Sequence, residues 1–237
     1  MAHPLSGALR EGLLGLGLEL QEDAQARLLD YMDLIAKWTK VYNLTAVRDA
    51  REMLTHHLLD SLAAVVPLRR ELAKLEPLVR ASCAEPAGVK VPEAASLDAP
   101  LFRLLDVGAG AGLPGVVIAI TCPQVSVTCV DTVAKKAAFV QQVAATLRLP
   151  HLRGLHARVE SLSEPFDVVC SRAFASLSDF TTWSASALAP HGVWLAMKGK
   201  YPEAEIAALP LSVKVFHVEP LTVPGLDAER CIVWMRG

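Results

Sequence analysis

Apolar residues recur every three or four positions early in the chain, and they form strand-like runs after residue 100. In residues 24–42 they lie along one face of a predicted core-facing helix: Leu28, Tyr31, Met32, Ile35, Trp38 and Tyr42. A second helix is predicted to begin at Asp49, whose carboxylate can cap free amides with Glu52 three residues on, and to run to about Pro67. The polar stretch "YNLTAVR" between them returns the chain.

After Leu101 predicted strands alternate with predicted helices. The strands are 101–107, 125–131, a short one near 154–159, 166–172, 192–198, 211–219 and 230–235. The helices are 114–120, 133–149, 177–188 and a short one near Glu203. This alternation predicts an α/β fold with a doubly wound, mostly parallel sheet of seven strands, whose last two strands pair antiparallel.

The stretch from Pro67 to Pro100 interrupts this pattern, with five prolines in 34 residues. Its first part is compatible with a short helix and its second part with a loop. The sequence therefore predicts three regions: an N-terminal helical extension (1–66), a variable linker or insert (67–100) and the main α/β domain (101–237).

Composition narrows the classes of partner and compartment. The formal net charge of -2 gives no overall attraction to nucleic acid, so any such contact needs a local basic patch. The five cysteines are scattered without a CxxC pair, which favours a reducing cytoplasm over a disulfide framework and indicates no metal site. No signal peptide or membrane-spanning run is evident.

The stretch "DVGAGAGLPG" (106–115) follows the first predicted strand of the main domain, where a Rossmann-like sheet binds its ligand. Gly108 and Gly110 allow positive φ and close approach of a ligand to the backbone. The spacing is GxGxG, and Leu113 stands where a dinucleotide fingerprint has glycine. Pro114, which lacks an N–H, weakens a pyrophosphate cradle further.

Two acidic residues at strand ends narrow the choice of ligand. Asp131 ends the second strand of the main domain, where a carboxylate accepts hydrogen bonds from ribose hydroxyls. Asp106 ends the first strand and is easier to explain beside an ammonium group. S-adenosylmethionine has both groups and is favoured over NAD, while a tight turn with two surface acids remains an alternative.

Several collinear motifs together resemble the RsmG family, the glucose-inhibited division protein B proteins. They are "KWTKVYNLTAVRD" (37–49), "HLLDSL" (57–62), "DVGAGAGLPG", "RVE" (158–160), "SRAFASL" (171–177), "MKGK" (197–200) and "VPGLDAER" (223–230). The sequence departs from the family pattern at His56, at Cys231 and in the length of segment 67–100. The resemblance implies a class I S-adenosylmethionine-dependent methyltransferase that modifies N7 of guanine 527 in the 530 loop of 16S ribosomal RNA.

The resemblance also implies roles for individual residues. Gly108 and Leu113 are expected on the methionine and ribose side of the donor, together with Gly110 of the same loop. Val159 and Glu160 are expected beside the adenine, and Asp131 at the ribose. Arg172 is expected to face the active site, as a catalytic and cofactor-binding residue that contacts the donor carboxylate, guanine O6 or a phosphate.

Contact with RNA requires a focused basic patch, and the residues expected to bind RNA are Lys37, Lys40, Arg48, Lys135, Lys136 and Lys198. His57 and Asp60 are expected to pair, either on the helix surface or in a functional role. The protein is expected to be a monomer that acts on 16S ribosomal RNA or the small ribosomal subunit, with no membrane partner. An RNA-binding module that binds S-adenosylmethionine without catalysis and an NAD-dependent oxidoreductase are the alternatives.

Overall fold

The computed structural model describes residues 3–83 and 100–237. The helices before the sheet are α1 (Ser6–Gly15), α2 (Glu22–Tyr42), α3 (Ala50–Met53), a π-helical turn (Leu54–Leu59), α4 (Asp60–Leu62) and α5 (Val65–Cys83). Helix α2 buries the predicted stripe at Leu28, Tyr31, Met32 and Ile35. Asp49 caps α3 as predicted, because its carboxylate accepts from the backbone N–H groups of Arg51 and Glu52 at 2.9 and 3.0 Å.

Seven strands form one sheet: β1 (Phe102–Val107), β2 (Val125–Asp131), β3 (Leu152–His156), β4 (Phe166–Arg172), β5 (Leu188–Lys198), β6 (Lys214–Leu221) and β7 (Arg230–Arg236). The strand order is β3-β2-β1-β4-β5-β7-β6. The first five strands are parallel, and β7 is antiparallel to both of its neighbours. The predicted α/β class, the mostly parallel sheet and the antiparallel final pair are confirmed.

The helices that follow the first strand cover both faces of the sheet, namely α6 (Gly115–Thr121), α7 (Ala134–Thr146), α8 (Leu177–Ser184) and α9 (Glu203–Ala207). Successive strand residues alternate between these faces. Leu104 belongs to the larger apolar core, which joins β1 to α2, α6 and α7. Leu105 belongs to the smaller core, under α8. The N-terminal helices therefore extend one face of the sheet and share its core.

Two predictions about the N-terminal region need correction. Helix α1 was not predicted, because three glycines within its ten residues mask its helical pattern. The helix that starts after Asp49 ends at Leu62 and not near Pro67. Pro67 instead lies in the first turn of α5, where the missing N–H of proline costs no helical hydrogen bond.

The expected short helix at the start of segment 67–100 is present as the longer α5, whereas residues 84–99 lie outside the described residues. The division into 1–66, 67–100 and 101–237 stays a prediction. Four cysteines are free and buried, at positions 122, 129, 170 and 231. Within the described ranges, no helix combines the length and apolarity needed to cross a bilayer.

Candidate active site

The glycine loop after β1 turns on residues in the left-handed region. Gly108 has φ 66° and Gly110 has φ 60°, which confirms the predicted positive φ at both positions. The side chain of Tyr31 on α2 donates a hydrogen bond of 2.6 Å to the carbonyl of Ala111 in this loop. The N-terminal extension thus holds the loop directly.

Asp131 at the end of β2 binds the same loop. One carboxylate oxygen accepts from the N–H of Gly110 at 3.0 Å, and the other accepts from the N–H of Val133 at 2.8 Å. Lys136 Nζ lies 3.6 Å from this carboxylate. Because each carboxylate oxygen has a second lone pair, Asp131 can still accept hydrogen bonds from two ribose hydroxyls.

Asp106 at the end of β1 is wholly buried. Its Oδ2 accepts from the N–H of Gly115 at 2.8 Å, whereas its Oδ1 has no partner among the described residues. Burial raises the pKa of Asp106 to about 7, and the Gly115 hydrogen bond and the positive charge of Arg172 oppose this shift. Asp106 lines neither of the two cavities described below, so its expected place beside an ammonium group stays a prediction.

A cavity of about 490 Å³ opens at the carboxyl ends of β1, β2 and β3, which we call the donor cavity. It is lined by Val107, Gly108, Val130, Asp131, Thr132, Val133, Lys136, Ala157, Arg158, Val159, Glu160, Phe174 and Trp183. Its volume is within the range typical of small-molecule sites. It also lies where the strand order reverses between β1 and β4, which is where doubly wound sheets bind their ligands.

Four of the residues expected to bind the donor lie on this wall, namely Gly108, Asp131, Val159 and Glu160. The other three lie elsewhere. Gly110 is in the same loop and fixes Asp131, Leu113 is buried in the larger core, and Arg172 lines a second pocket. The donor contacts expected of all seven residues stay predictions.

The loop after β4 lies beside the glycine loop. Ala173 has φ 55°, a left-handed conformation that is costly for a residue with a side chain and is often found at functional sites. A Cβ added to Gly108 would lie 2.7 Å from the ring of Phe174. Phe174 in turn packs edge-on against Trp183, with ring centroids 5.8 Å apart. Only glycine at position 108 leaves Phe174 this place on the cavity wall.

The second pocket, of about 380 Å³, lies at the carboxyl ends of β4 and β5, and we call it the arginine pocket. It is lined by His56, His57, Asp60, Arg172, Ala173, Met197, Lys198, Gly199 and Arg230. Asp60 is 3% exposed and accepts from Arg172 Nη1 at 2.9 Å and from Arg230 Nε at 2.8 Å. One buried carboxylate therefore holds two arginines from two strands.

The expected pairing of His57 with Asp60 is wrong, because each side chain has another partner. His57 Nε2 lies 2.7 Å from the hydroxyl of Thr45, and Asp60 binds Arg172 and Arg230. Burial and the positive charge of Arg172 lower the pKa of His57, which favours a neutral imidazole.

The basic residues expected to contact RNA fall into two groups. Lys37, Lys40 and Lys135 are exposed and form no ion pair within the described part of the chain. The other three have protein partners. Arg48 donates to the carbonyl of Thr39, Lys136 faces Asp131, and Lys198 binds Glu205 at 2.7 Å.

Among the lining residues of the two cavities, sequence reasoning assigned no role to Trp183 or Arg230, and it did not identify Asp60 as a partner of arginine. Asp60 and Arg230 occur in "HLLDSL" and "VPGLDAER", so the motifs contained the signal. The sequence contained no signal for Trp183 other than its position one turn after Phe180 on a predicted helix.

The strand order, the donor cavity and the family match given next identify a class I S-adenosylmethionine-dependent methyltransferase of Rossmann-like fold, with an N-terminal helical extension. The family model described as rRNA small subunit methyltransferase G matches residues 24–74 and 91–233. The chain belongs to this family, and its methyl donor is S-adenosylmethionine.

Relatives support the same assignment over nearly the whole chain. The chain is 64% identical to Ribosomal RNA small subunit methyltransferase G of Acidovorax sp. (strain JS42) over 229 residues, which are 97% of this chain and 94% of the relative. It is also 64% identical to the protein of that name from Polaromonas sp. (strain JS666 / ATCC BAA-500) over 228 residues, 96% and 92% of the two chains.

Solved structures show partial likenesses. TrmN from Thermus thermophilus has a TM-score of 0.47 and 19% identity, over 57% of this chain and 43% of that one. A putative methyltransferase from Thermoplasma acidophilum has a TM-score of 0.46 and 14% identity, over 56% and 67%.

Proposed function

We propose that this enzyme transfers a methyl group from S-adenosylmethionine to N7 of guanine 527 in the 530 loop of 16S ribosomal RNA, as a monomer in the cytoplasm. The substrate is the free RNA or the small ribosomal subunit. Membership in the rRNA small subunit methyltransferase G family supports an RNA substrate, and the family resemblance of the motifs supports the particular guanine.

The observation that carries the proposal is the adjacency of the two cavities. Phe174 lines the donor cavity, and its neighbour Ala173 lines the arginine pocket. A single loop after β4 therefore separates the two cavities. A base that enters from the arginine pocket would meet the donor at this loop, which gives the proximity on which methyl transfer depends.

The residues at this loop favour a ring nitrogen as the acceptor. When bound, S-adenosylmethionine supplies an electrophilic methyl group. Guanine N7 has an in-plane lone pair, so its attack requires no general base. The segment after β4 reads Ser171, Arg172, Ala173 and Phe174, and it lacks the Asn/Asp-Pro-Pro-aromatic stretch typical of enzymes that methylate exocyclic amines.

In this proposal the chain's own residues bind and align. Asp131 binds the ribose of the donor, and Val159 and Glu160 lie beside its adenine. Gly108, Gly110 and Leu113 shape its methionine and ribose side. Arg172, held by Asp60, orients the target nucleotide as the catalytic arginine.

Phosphates farther along the RNA are bound by the exposed side chains of Lys37, Lys40 and Lys135. In this proposal RNA is also bound by Arg48, Lys136 and Lys198, each of which has a protein partner as well. A Lys135→Ala variant should lower the slope of log K against log salt concentration by about 0.7 to 0.9 for one lost phosphate contact. An unchanged slope would remove Lys135 from the RNA surface.

The test is incubation with labelled methyl donor and 16S RNA, or small subunits, that lack the modification. The proposal predicts label on the RNA and strand cleavage at guanine 527 after chemistry selective for N7-methylguanine. Label at another atom or nucleotide would reject the proposed site. Retention of RNA without label would favour the non-catalytic module, and neither retention nor label would favour an unrelated activity such as NAD-dependent oxidation.

A further inference from the structure

The arginine pocket holds two guanidinium groups in place before any ligand binds. Arg172 Nη1 donates to Asp60 and also to the carbonyl of His56 at 2.9 Å. Arg230 donates through Nε to Asp60 and through Nη1 to the carbonyl of Glu229 at 2.8 Å. The two side chains are 19% and 24% exposed, so each is partly desolvated and still open to a ligand.

Several N–H groups of this pair have no protein acceptor. Among the described residues, Arg172 Nε and Nη2 and Arg230 Nη2 make no hydrogen bond. A guanidinium has five N–H donors in a rigid plane, which suits the oxygens of a phosphate. Two such groups fixed on one carboxylate form a receptor for a tetrahedral anion.

The charge balance of the pocket also favours an anion. Lys198 is neutralised by Glu205 at 2.7 Å and donates to the carbonyl of Ala175 as well. The single charge of Asp60 cannot balance both Arg172 and Arg230. The burial that lowers the pKa of His57 leaves that ring neutral. The pocket therefore retains one net positive charge on the arginine pair.

We propose that Arg172 and Arg230 together bind a phosphodiester group of the RNA, the one next to the nucleotide that is methylated. Asp60 is the positioning residue that sets the spacing of the two guanidiniums. The donor cavity and the arginine pocket have no lining residue in common, so the arginine pair lies outside the donor cavity and is free to bind a second ligand. This inference rests on the proposed RNA methylation and assigns Arg172 to the phosphate among its three expected contacts.

The test separates the phosphate from the base. Guanosine 5′-monophosphate and guanosine are titrated into the full-length protein saturated with S-adenosylhomocysteine, by calorimetry or NMR. The native protein should bind the nucleotide about tenfold more tightly than the nucleoside, as expected for charge-assisted hydrogen bonds. Inorganic phosphate should compete with the nucleotide and not with the nucleoside.

Variants of Arg230 show whether this pair is the receptor. Arg230→Ala should reduce the preference for the nucleotide to within about twofold, and Arg230→Lys should keep part of it because the charge remains. Arg80→Ala is the matched control, since Arg80 is an exposed arginine on α5 that pairs with Glu76. The control should keep the full preference. Circular dichroism and S-adenosylhomocysteine affinity report whether each variant is folded.

An unchanged preference in folded Arg230→Ala would overturn the inference, as would equal affinity of the native protein for nucleotide and nucleoside. Should Arg230→Ala fail to fold, the same comparison in Arg230→Lys decides. The adenosine pair serves as a further probe, because a phosphate receptor prefers adenosine 5′-monophosphate over adenosine too. That preference would survive failure of the proposed guanine N7 specificity, so the two proposals can fail separately.

Discussion

The hydroxyl of Tyr31 donates a hydrogen bond of 2.6 Å to the carbonyl of Ala111, which lies 80 positions further along the chain. Tyr31 is fully buried on α2, and Ala111 lies in the glycine loop. The ring of Tyr31 also stacks on Phe139 of α7, with ring centroids 6.5 Å apart. The N-terminal extension is therefore part of the structure that shapes the donor cavity.

A Tyr31→Phe variant tests this connection. It removes one hydroxyl and leaves a buried carbonyl without its donor, which costs about 1 kcal/mol of unfolding free energy. The looser loop should also weaken S-adenosylhomocysteine binding by roughly two- to fivefold. Urea unfolding and calorimetry measure both effects. Tyr42→Phe, at the exposed end of the same helix, should change neither. Native donor affinity in Tyr31→Phe would show that the loop does not depend on this bond.

Gly108 and Gly110 allow backbone strain to be separated from steric fit. Both have φ near 60°, so alanine at either position should cost about 1 to 2 kcal/mol of stability. At Gly110 the new Cβ would have no atom nearer than 3.9 Å, whereas at Gly108 it would meet the ring of Phe174 at 2.7 Å. Gly110→Ala should therefore lose stability through backbone strain alone, whereas Gly108→Ala adds the cost of the clash and should lose more stability and much more donor affinity.

Calorimetric titration with S-adenosylhomocysteine, alongside urea unfolding, checks this pair of variants. Gly108→Ala should bind at least about tenfold more weakly than Gly110→Ala, because Phe174 must leave the cavity wall to admit the new methyl group. Equal affinities of the two variants would mean that Phe174 is not part of the donor site.

The order of strands and helices could be predicted from the sequence because local patterns of burial report it. Buried strands such as β5 give continuous apolar runs, here residues 192–197. The carboxyl ends of parallel strands also converge at one edge, which brings Gly108, Asp131 and Val159 together. Helix α1 could not be predicted in this way. Its Gly12 packs against Leu59, where a Cβ would lie 2.5 Å from that side chain, so tertiary contact overrides its weak helical propensity.

The arginine pocket could not be predicted from local sequence patterns, for a related reason. Asp60 and His57 lie three positions apart, the spacing of a helical pair, yet Asp60 binds partners that are 112 and 170 positions away. Two charge-assisted hydrogen bonds to guanidiniums in a buried site are stronger than one local contact with imidazole. Sequence spacing gives no information about such distant partners.

Trp183 provides an optical signal for the donor cavity. It is 40% exposed on the cavity wall, whereas Trp194 and Trp234 are buried and Trp38 packs against Phe139. Binding of S-adenosylhomocysteine should therefore quench or shift the emission of the native protein. Trp183→Phe should lose this change and bind several-fold more weakly, in keeping with about 0.5 to 1.5 kcal/mol for an aromatic contact. Trp38→Phe should keep the signal, and an unchanged signal in Trp183→Phe would place the ligand elsewhere.

Ionisation of Asp106 should lower the free energy of unfolding as the pH rises from 4 to 7, which is the reverse of the usual effect of an acidic side chain. Burial raises its pKa to about 7 in the folded protein, against about 3.9 in the unfolded chain. The folded state therefore keeps the proton that the unfolded state releases, and this group's contribution to stability is present below pH 4 and lost as the pH rises to 7. Asp106→Asn keeps an acceptor for the Gly115 N–H and has no proton to lose. The stability of the variant relative to the native protein should rise from pH 4 to 7, by up to about 4 kcal/mol.

Donor binding should favour the ionised form of Asp106. A cationic ligand favours the carboxylate, so binding should lower the pKa of Asp106 and release a proton near pH 7. Affinity for S-adenosylmethionine should then rise between pH 6 and 8, and calorimetry in buffers of different ionisation enthalpy should detect the released proton. Both effects should vanish in Asp106→Asn. The control that retains them is Glu76→Gln, which removes an exposed carboxylate of α5 outside the donor cavity. Proton release that persists in Asp106→Asn would assign it to another group and leave Asp106 a structural role alone.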